Sequence, residues 1–587
     1  MRRFKTRFTP VFSEKRETKK YTSISPLHLI VILLLFSCSE ACVNGQLEED
    51  NSAYKNGMVV SAHPLASKVG LAILKKGGNA IDAAVAVQFA LAVVYPNAGN
   101  IGGGGFLVYR SRSGQVAALD YRETAPSQAS RNMYLDTKGN PIVDKSLYGH
   151  LAAGVPGSVD GMVKAHQKYG KLEWAKLIQP AIDLAEGGFG ITSQQAVELN
   201  ENEQAFKKYN PNQIPPIQKT NRWTTGDILK QEDLAFTLKL IQDKGRDGFY
   251  RGEIADLIVA EMKSGSGLIS KEDLANYQSV WRSPITATYK NYKIITMPPP
   301  SSGGIALVQL LKSIESYPVK RWGYNSDSTI QFITEVERRV YADRATYLGD
   351  PDFGDVPQKQ LLNLSYIRSR MKDFTWNNAT SSTTIKAGVF PPKEREQTTH
   401  FSIVDHEGNA VAVTTTLNGS YGSKVFVKGA GFLLNNEMDD FSIKPGAPNL
   451  YGLVGGEANA IAPNKRMLSS MTPSILEKDG QLFMVVGTPG GSTIITSVFQ
   501  TIIDVIEFNK SIKDAVASKR FHHQWLPDEI FMEKDAIDNL TQEKLRQKGY
   551  KLTERSPIGR VDAILKNQWG YYEGGADPRG DDTALGW

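Results

Sequence analysis

Cysteine is nearly missing from this 587-residue chain: there are two, Cys38 and Cys42, and none beyond them. A body without cysteine has no disulfide framework and no thiolate metal site. Charge of one sign is missing from that body as well. The formal net charge is +6, but residues 1–26 hold eight Lys/Arg and two acids, so that stretch supplies 8 − 2 = +6 alone. The near-neutral remainder excludes the basic stripe that a nucleic-acid groove needs, so no nucleic-acid partner is expected. A long apolar run is missing too. Leu27-His28-Leu29-Ile30-Val31-Ile32-Leu33-Leu34-Leu35-Phe36 is about half the ~20 residues that span a bilayer, and it reads as the core of a signal peptide.

Residues 1–42 are therefore an export segment, and the protein is expected in the periplasm or at the cell surface. Leu35-Phe36-Ser37-Cys38 resembles a bacterial lipoprotein cleavage box, in which Cys38 would carry a lipid anchor. Ordinary cleavage after the small residues Ser39 and Ala41 is the alternative, and the four-residue motif does not choose between them.

The whole chain is 41% apolar and 22% charged, which suits several domains or one large α/β unit. Residues 64–75 have helical spacing and stop at Gly77-Gly78. Asn79 caps a second helix, 80 to about 94, apolar on nearly every side and therefore buried. Gly102-Gly103-Gly104-Gly105 then leads into a strand at 106–109; the run reads as a tight turn or as a place where another group comes close. The middle, 150–370, alternates helical patterns with turns and holds Met297-Pro298-Pro299-Pro300-Ser301-Ser302-Gly303-Gly304. From 372 to 397 the chain turns polar and irregular, as an exposed loop does.

At 398 the pattern changes to strand. Thr398 to Asp405 and Asn409 to Thr416 flank the short turn His406-Glu407-Gly408, and a hairpin symmetric about Glu407 pairs 398 with 416. Directly opposite residues share a face, so Thr398, Thr416 and Asn418 should cluster at one end of a sheet. A threonine hydroxyl becomes a useful nucleophile when the residue is N-terminal and its own α-amine takes the proton. An internal threonine reaches that state by cleavage of the preceding bond, here after Gln397. Leu482 to Val486 form an apolar strand, Gly487-Thr488-Pro489-Gly490-Gly491-Ser492 a sharp turn, and a helix follows from Thr493. Such a junction aims backbone N–H groups at a developing negative charge. His400 reads as a satisfied structural histidine. His522 and His523 are adjacent and diverge, so they make a poor metal chelate.

Several motifs then occur in a fixed order. They are Asp120-Tyr121-Arg122-Glu123-Thr124-Ala125-Pro126, Gln397-Thr398-Thr399-His400-Phe401-Ser402, Asn435-Asn436-Glu437-Met438-Asp439-Asp440-Phe441, Leu468-Ser469-Ser470-Met471, Pro489-Gly490-Gly491-Ser492 and Arg520-Phe521-His522-His523-Gln524-Trp525. From about residue 55 onward the chain resembles the gamma-glutamyltransferase family of N-terminal-nucleophile hydrolases. The resemblance implies a four-layer αββα sandwich and self-cleavage between Gln397 and Thr398. The products would be a large subunit, 43–397, and a small one, 398–587, paired as a heterodimer.

It also implies site roles: Thr398 as nucleophile, Thr416 in support, and Gly490 and Gly491 as the oxyanion hole. Arg122, helped by Ser469 and Ser470, would hold the substrate α-carboxylate. Asn418, Glu437 and Asp440 would bind its α-ammonium, and Tyr451 matches a lid-loop tyrosine found in some members. Met467 stands where many members have proline. Without the family, Arg122-Glu123 reads as a surface ion pair and Asp439-Asp440 as a solvated turn. No metal or cofactor is implied. The donors would be glutathione and other gamma-glutamyl amides, the acceptors water, amino acids or peptides. An acylase acting on glutaryl side chains, a non-catalytic binding protein on the same fold and a bare hydrolase without transferase activity are the rival readings.

Overall fold

Helix signals in the N-terminal part of the body are obeyed to the residue. Pro64–Lys75 is a helix capped by His63, whose Nδ1 accepts the Leu65 N–H at 3.2 Å. Ala80–Val94 follows, with Asn79 and Asp82 closing a reciprocal capping box and every residue of the helix buried. The strand after the glycine run spans Gly104–Arg110, so two of the four glycines belong to it. The computed structural model describes residues 53–211, 214–217, 221–385, 398–447, 449 and 452–587. The export segment with Cys38, the last part of the polar loop with Gln397, and Tyr451 lie outside the described residues.

Two seven-stranded antiparallel sheets dominate the described residues. In the first, the order is Thr583–Gly586, Met58–Ser61, Thr399–Val404, Ala410–Thr416, Gly104–Arg110, Val116–Tyr121, Val280–Arg282. In the second it is Ala53–Tyr54, Tyr572–Gly575, Asp562–Lys566, Gln481–Gly487, Ser474–Lys478, Tyr292–Thr296, Ile285–Tyr289. The hairpin register is the one expected: Thr399 opposes Thr415 and Val404 opposes Ala410.

Thr399–Val404 and Ala410–Thr416 are buried on both faces, but their two faces meet different partners. Phe401, Ile403, Val411 and Val413 join a cluster with the helix Ala80–Val94. Val404, Ala410 and Ala412 pack instead against Ile475, Val485 and Ile564 of the second sheet. The far face of that sheet, with Leu476, Met484 and Val486, buries against the helices Gly303–Ile314, Asp327–Tyr347 and Ile494–Ile506. Side chains two apart share a face, so Thr398, His400 and Ser402 point the way Val404 does, toward the second sheet. That parity puts Thr398 opposite the end of Gln481–Gly487, where the glycine turn begins.

Two parts of the chain differ from expectation. The middle supplies three strands, Val280–Arg282, Ile285–Tyr289 and Tyr292–Thr296, because these short runs sit between helical patterns that hide their alternation. Residues 372–385 carry no helix or strand but are not simply exposed. Ser382 and Ile385 are buried, and the Trp525 indole N–H donates to both their carbonyls at 3.0 and 3.2 Å.

Candidate active site

The two threonines converge as the register requires. Thr398 Oγ lies 3.5 Å from Thr416 Oγ, and both are buried. Thr416 Oγ accepts the Asn418 N–H at 2.7 Å, which leaves its own proton free to point at Thr398. Asn418 holds φ at 70° and donates from Nδ2 to the Asn436 carbonyl at 2.9 Å. The glycine run lies directly behind: a Cβ on Gly103 would stand 2.0 Å from the Thr416 carbonyl oxygen. Asn100 occupies the same place, donating to that carbonyl at 2.9 Å. Close approach, not merely a turn, is what the glycines permit.

Opposite Thr398, Gln481–Gly487 runs into the glycine turn, then a short 3-10 turn, Gly491–Thr493, and the helix Ile494–Ile506. Gly490 has φ 136° and Gly491 φ 50°, conformations that side chains resist. Among the described residues no acceptor takes the N–H of either glycine. Gly487 is a glycine because the His400 ring sits over it; a Cβ there would meet the ring at 2.3 Å. That imidazole is satisfied, its Nδ1 2.9 Å from Thr414 Oγ and its Nε2 3.1 Å from Ser402 Oγ. Burial pushes it down to about 3, so it stays neutral and structural.

Arg122 follows the strand Val116–Tyr121 and is fully buried. Its Nη1 pairs with Glu437 and its Nη2 with Asp440, while Glu123 lies 3.6 Å from Nη1. Both isolated readings are thus corrected: Arg122-Glu123 is interior, and so is Asp439-Asp440. Asn435 sets the acids in place. Its Oδ1 accepts the Glu437 N–H at 3.0 Å, and its Nδ2 donates to Gly102 O at 2.9 Å.

Three carboxyls share one guanidinium. Burial alone would weaken the Arg122 charge, but Glu437, Asp440 and Glu123 outweigh it and hold the guanidinium protonated. Burial in turn raises all three carboxyls against the pull of Arg122, Glu123 to about 8. Ser469 and Ser470 complete the group. The Ser469 carbonyl accepts the Ser302 N–H and hydroxyl at 2.7 and 2.6 Å, so the Pro298–Ser302 stretch forms its shelf. Thr398, Thr416, Asn418, Arg122, Glu437, Asp440, Ser469, Ser470 and Gly491 line one cavity of about 20 Å³. Gly490 borders a second, of about 920 Å³, that also reaches Thr398.

A family model described as gamma-glutamyltranspeptidase matches residues 66–587. The chain belongs to that family. It is similar to the "Glutathione hydrolase proenzyme" of Escherichia coli strain K12, 46% identical over 542 residues, which cover 91% of this chain and 92% of the relative. Among solved structures it resembles Helicobacter pylori gamma-glutamyltranspeptidase at 44% identity. That match has a TM-score of 0.55 and covers 58% of this chain and 97% of the other. It also resembles a cephalosporin acylase from Bacillus halodurans at 26% identity and a TM-score of 0.79, over 91% of this chain and 96% of the other.

Beside the family's expected residues stand some that the sequence reading missed. Arg344 donates to Ser470 Oγ at 3.0 Å and to Ser302 Oγ at 2.9 Å and lines the small cavity. Burial lowers it to about 10, still charged at neutral pH. It lies in the long helix Asp327–Tyr347, whose polar residues give no sign of facing a site. Glu123 was noticed only as a neighbour of Arg122, yet both its carboxyl oxygens are buried without a hydrogen-bond partner among the described residues. His522 and His523 do diverge, toward Thr496 and Asp528 respectively. Among the described residues no cluster of three His, Cys, Asp or Glu side chains suits a metal ion.

Proposed function

We propose that this enzyme cuts its own chain before Thr398 and then uses Thr398 to transfer or hydrolyse gamma-glutamyl groups, glutathione being the natural donor type. The observation that carries this is the pairing of Thr398 with Thr416 at 3.5 Å, opposite two glycine N–H groups without acceptors among the described residues. In the first stage Thr398 Oγ attacks the Gln397 carbonyl, the acyl group shifts from nitrogen to oxygen, and water opens the ester. Gln397 leaves with a carboxylate and Thr398 with a free α-amine. An α-amine titrates near ~7.7–8.0, which suits a general base at neutral pH. In the second stage that amine takes the Oγ proton, Oγ attacks the donor amide, and the proton passes to the leaving amine. Water or a second amine then takes the gamma-glutamyl group from the ester. The Gly490 and Gly491 N–H groups stabilise the oxyanion of each step.

Arg122, Glu437 and Asp440 supply the head-group recognition. The cavity of about 20 Å³ has room for little more than a water, so donor binding must part these side chains. An α-carboxylate then replaces the acids on Arg122, with the Ser469 and Ser470 hydroxyls donating to it. An α-ammonium replaces Arg122 on the acids, where Glu437 Oε2 has no hydrogen-bond partner among the described residues. Asn418 completes the ammonium site, and Tyr451 is proposed as its lid. The charge pairing favours an amino-acid head group over the glutaryl group of the acylase alternative, which lacks the ammonium. A binding protein without catalysis has no use for two positive-φ glycines beside a threonine pair.

On this reading the two sheets and their outer helices form the four-layer αββα sandwich. Residues 43–397 and 398–587 form the two subunits of a heterodimer, exported under the direction of residues 1–42. Cys38 lipidation is the weaker part of that proposal and rests on the four-residue box alone. The test is an SDS gel of purified protein beside an assay of gamma-glutamyl-p-nitroanilide turnover. Two fragments with turnover support the reading; an intact chain or an inert one contradicts it.

A further inference from the structure

Thr398 is the one described residue common to the linings of the two cavities. Gly491 borders the small one, with the head-group side chains, and Gly490 borders the large one. A scissile amide held at this turn therefore has its acyl part on the small side and its amine part on the large side. The large cavity, about 920 Å³, is far bigger than a bare ammonia or water molecule requires. It has the size class of a pocket that encloses a whole small ligand.

The question is what in that cavity recognises the amine part. Of its cations, Arg560 is paired with Asp582, Arg579 with Glu533 and Asp577, and Arg555 stands 5.6 Å from the centre of the Phe531 ring. Lys208 is exposed. Lys424 differs from these. It is 6% exposed, and no carboxylate lies within ion-pair distance of it among the described residues. Its ammonium donates to the Ser420 carbonyl and stands 5.6 Å from the centre of the Tyr421 ring. A buried ammonium without an anion is costly, and burial lowers it to about 7. Its place is close to the chemistry. Ser420 is four residues beyond Thr416, at most ~14 Å along an extended chain, and the chain is bent between them at Asn418.

We propose that Lys424 binds the carboxylate of the peptide released from the donor, and equally that of an amino-acid or peptide acceptor entering the same cavity. The class of ligand is thus an amine that also carries a carboxylate a residue or two away, as the cysteinylglycine half of glutathione does. The carboxylate supplies the anion that the lysine lacks. The proposal rests on the gamma-glutamyl transfer reading above.

A ligand–protein double cycle tests it. Wild-type enzyme and Lys424→Met are each assayed with glutathione and with its glycyl monoethyl ester, in which the carboxylate is blocked. Wild type is expected to favour glutathione by about tenfold or more in kcat/KM, as loss of a buried charge contact implies. In Lys424→Met that ratio should collapse toward one. Equal use of the two donors by wild type, or an undiminished ratio in Lys424→Met, overturns the proposal. If Lys424 merely ties the 418–424 turn, both donors suffer alike and the ratio survives, which also overturns it. Should the methionine variant fail to fold, Lys424→Gln takes its place in the cycle. Wild-type turnover of gamma-glutamyl-p-nitroanilide is measured in parallel: its absence strikes the transfer reading, whereas its presence with an unchanged ratio strikes Lys424 alone.

Discussion

The two cavities that meet at Thr398 are built on opposite plans. The small one is filled by its own charges: Arg122 is paired to Glu437 and Asp440, and Glu123 waits behind. The large one is open and holds Lys424, which has no carboxylate within ion-pair distance among the described residues. A site stocked with complementary charges accepts a ligand by exchange, so only a molecule bearing both an anion and a cation at the right spacing satisfies it. A roomy site with one buried lysine free of a carboxylate partner among the described residues accepts many shapes. The difference argues for strict choice of the acyl group and tolerance of the amine.

The largest effect should come from the boundary between them. Gly490→Ala strains a φ of 136° and should displace the proposed oxyanion donor. A loss of about 10²–10³ in kcat is expected, alike for every donor, measured on protein already processed. Next, Asp440→Ala leaves Arg122 with Glu437 and Glu123 and removes the proposed ammonium partner. Loss of one partner from a buried charged contact costs ~2–5 kcal/mol, so kcat/KM on gamma-glutamyl anilide should fall well over tenfold. Glutaryl anilide, which has no ammonium, should lose much less. An unchanged preference between these two anilides would erase the proposed plan of the small cavity. Thr416→Val removes the hydroxyl beside Thr398 while keeping the shape; about a tenfold fall in kcat is expected, since one hydrogen bond is lost.

The smallest effect is on stability. Glu123 is held at about 8 in the folded chain against an ordinary value of 4.5. Between those values the folded state keeps a proton that the unfolded state has lost, so stability falls as pH rises. The buried histidines, held at about 3 to 4, act with the opposite sign, but only below their ordinary 6.5. The window from 6.5 to 8 therefore leaves the histidines out. Lys424, lowered by burial to about 7, adds a rise of stability with pH above that value, which wild type and a Glu123 variant share. There Glu123→Gln should flatten the decline by up to about 2 kcal/mol, read as a few degrees in melting temperature. A variant whose melting temperature tracks wild type across that window would mean that Glu123 is ionised in the folded chain.

The backbone of the site was legible because it depends on local rules. Glu407 as the centre of symmetry placed Thr398 beside Thr416, and strand, glycines and helix at 482–493 announced a turn with free amides. Parity along the strand, which aims Thr398 at that turn, needed the second sheet to give it meaning. Charge partners were not legible from residue spacing. Arg122, Glu437 and Asp440 come from three separate stretches, and their pairing belongs to the tertiary fold. Only the family resemblance named them, and it assigned them to a substrate instead of to each other. Arg344 and Lys424 left no signal at all: one is an ordinary residue of a polar helix, the other a lysine in a loop, and burial is what makes each unusual.

The central claim is that Thr398 is both the site of cleavage and the nucleophile. Intact-mass and N-terminal analysis of wild type and Thr398→Ala, with gamma-glutamyl-p-nitroanilide turnover of both, tests it most directly. The account predicts a wild-type fragment beginning at Thr398 and an active enzyme, and a variant that remains one chain without turnover. A Thr398→Ala chain that still divides before residue 398, or that still releases nitroaniline, would contradict it.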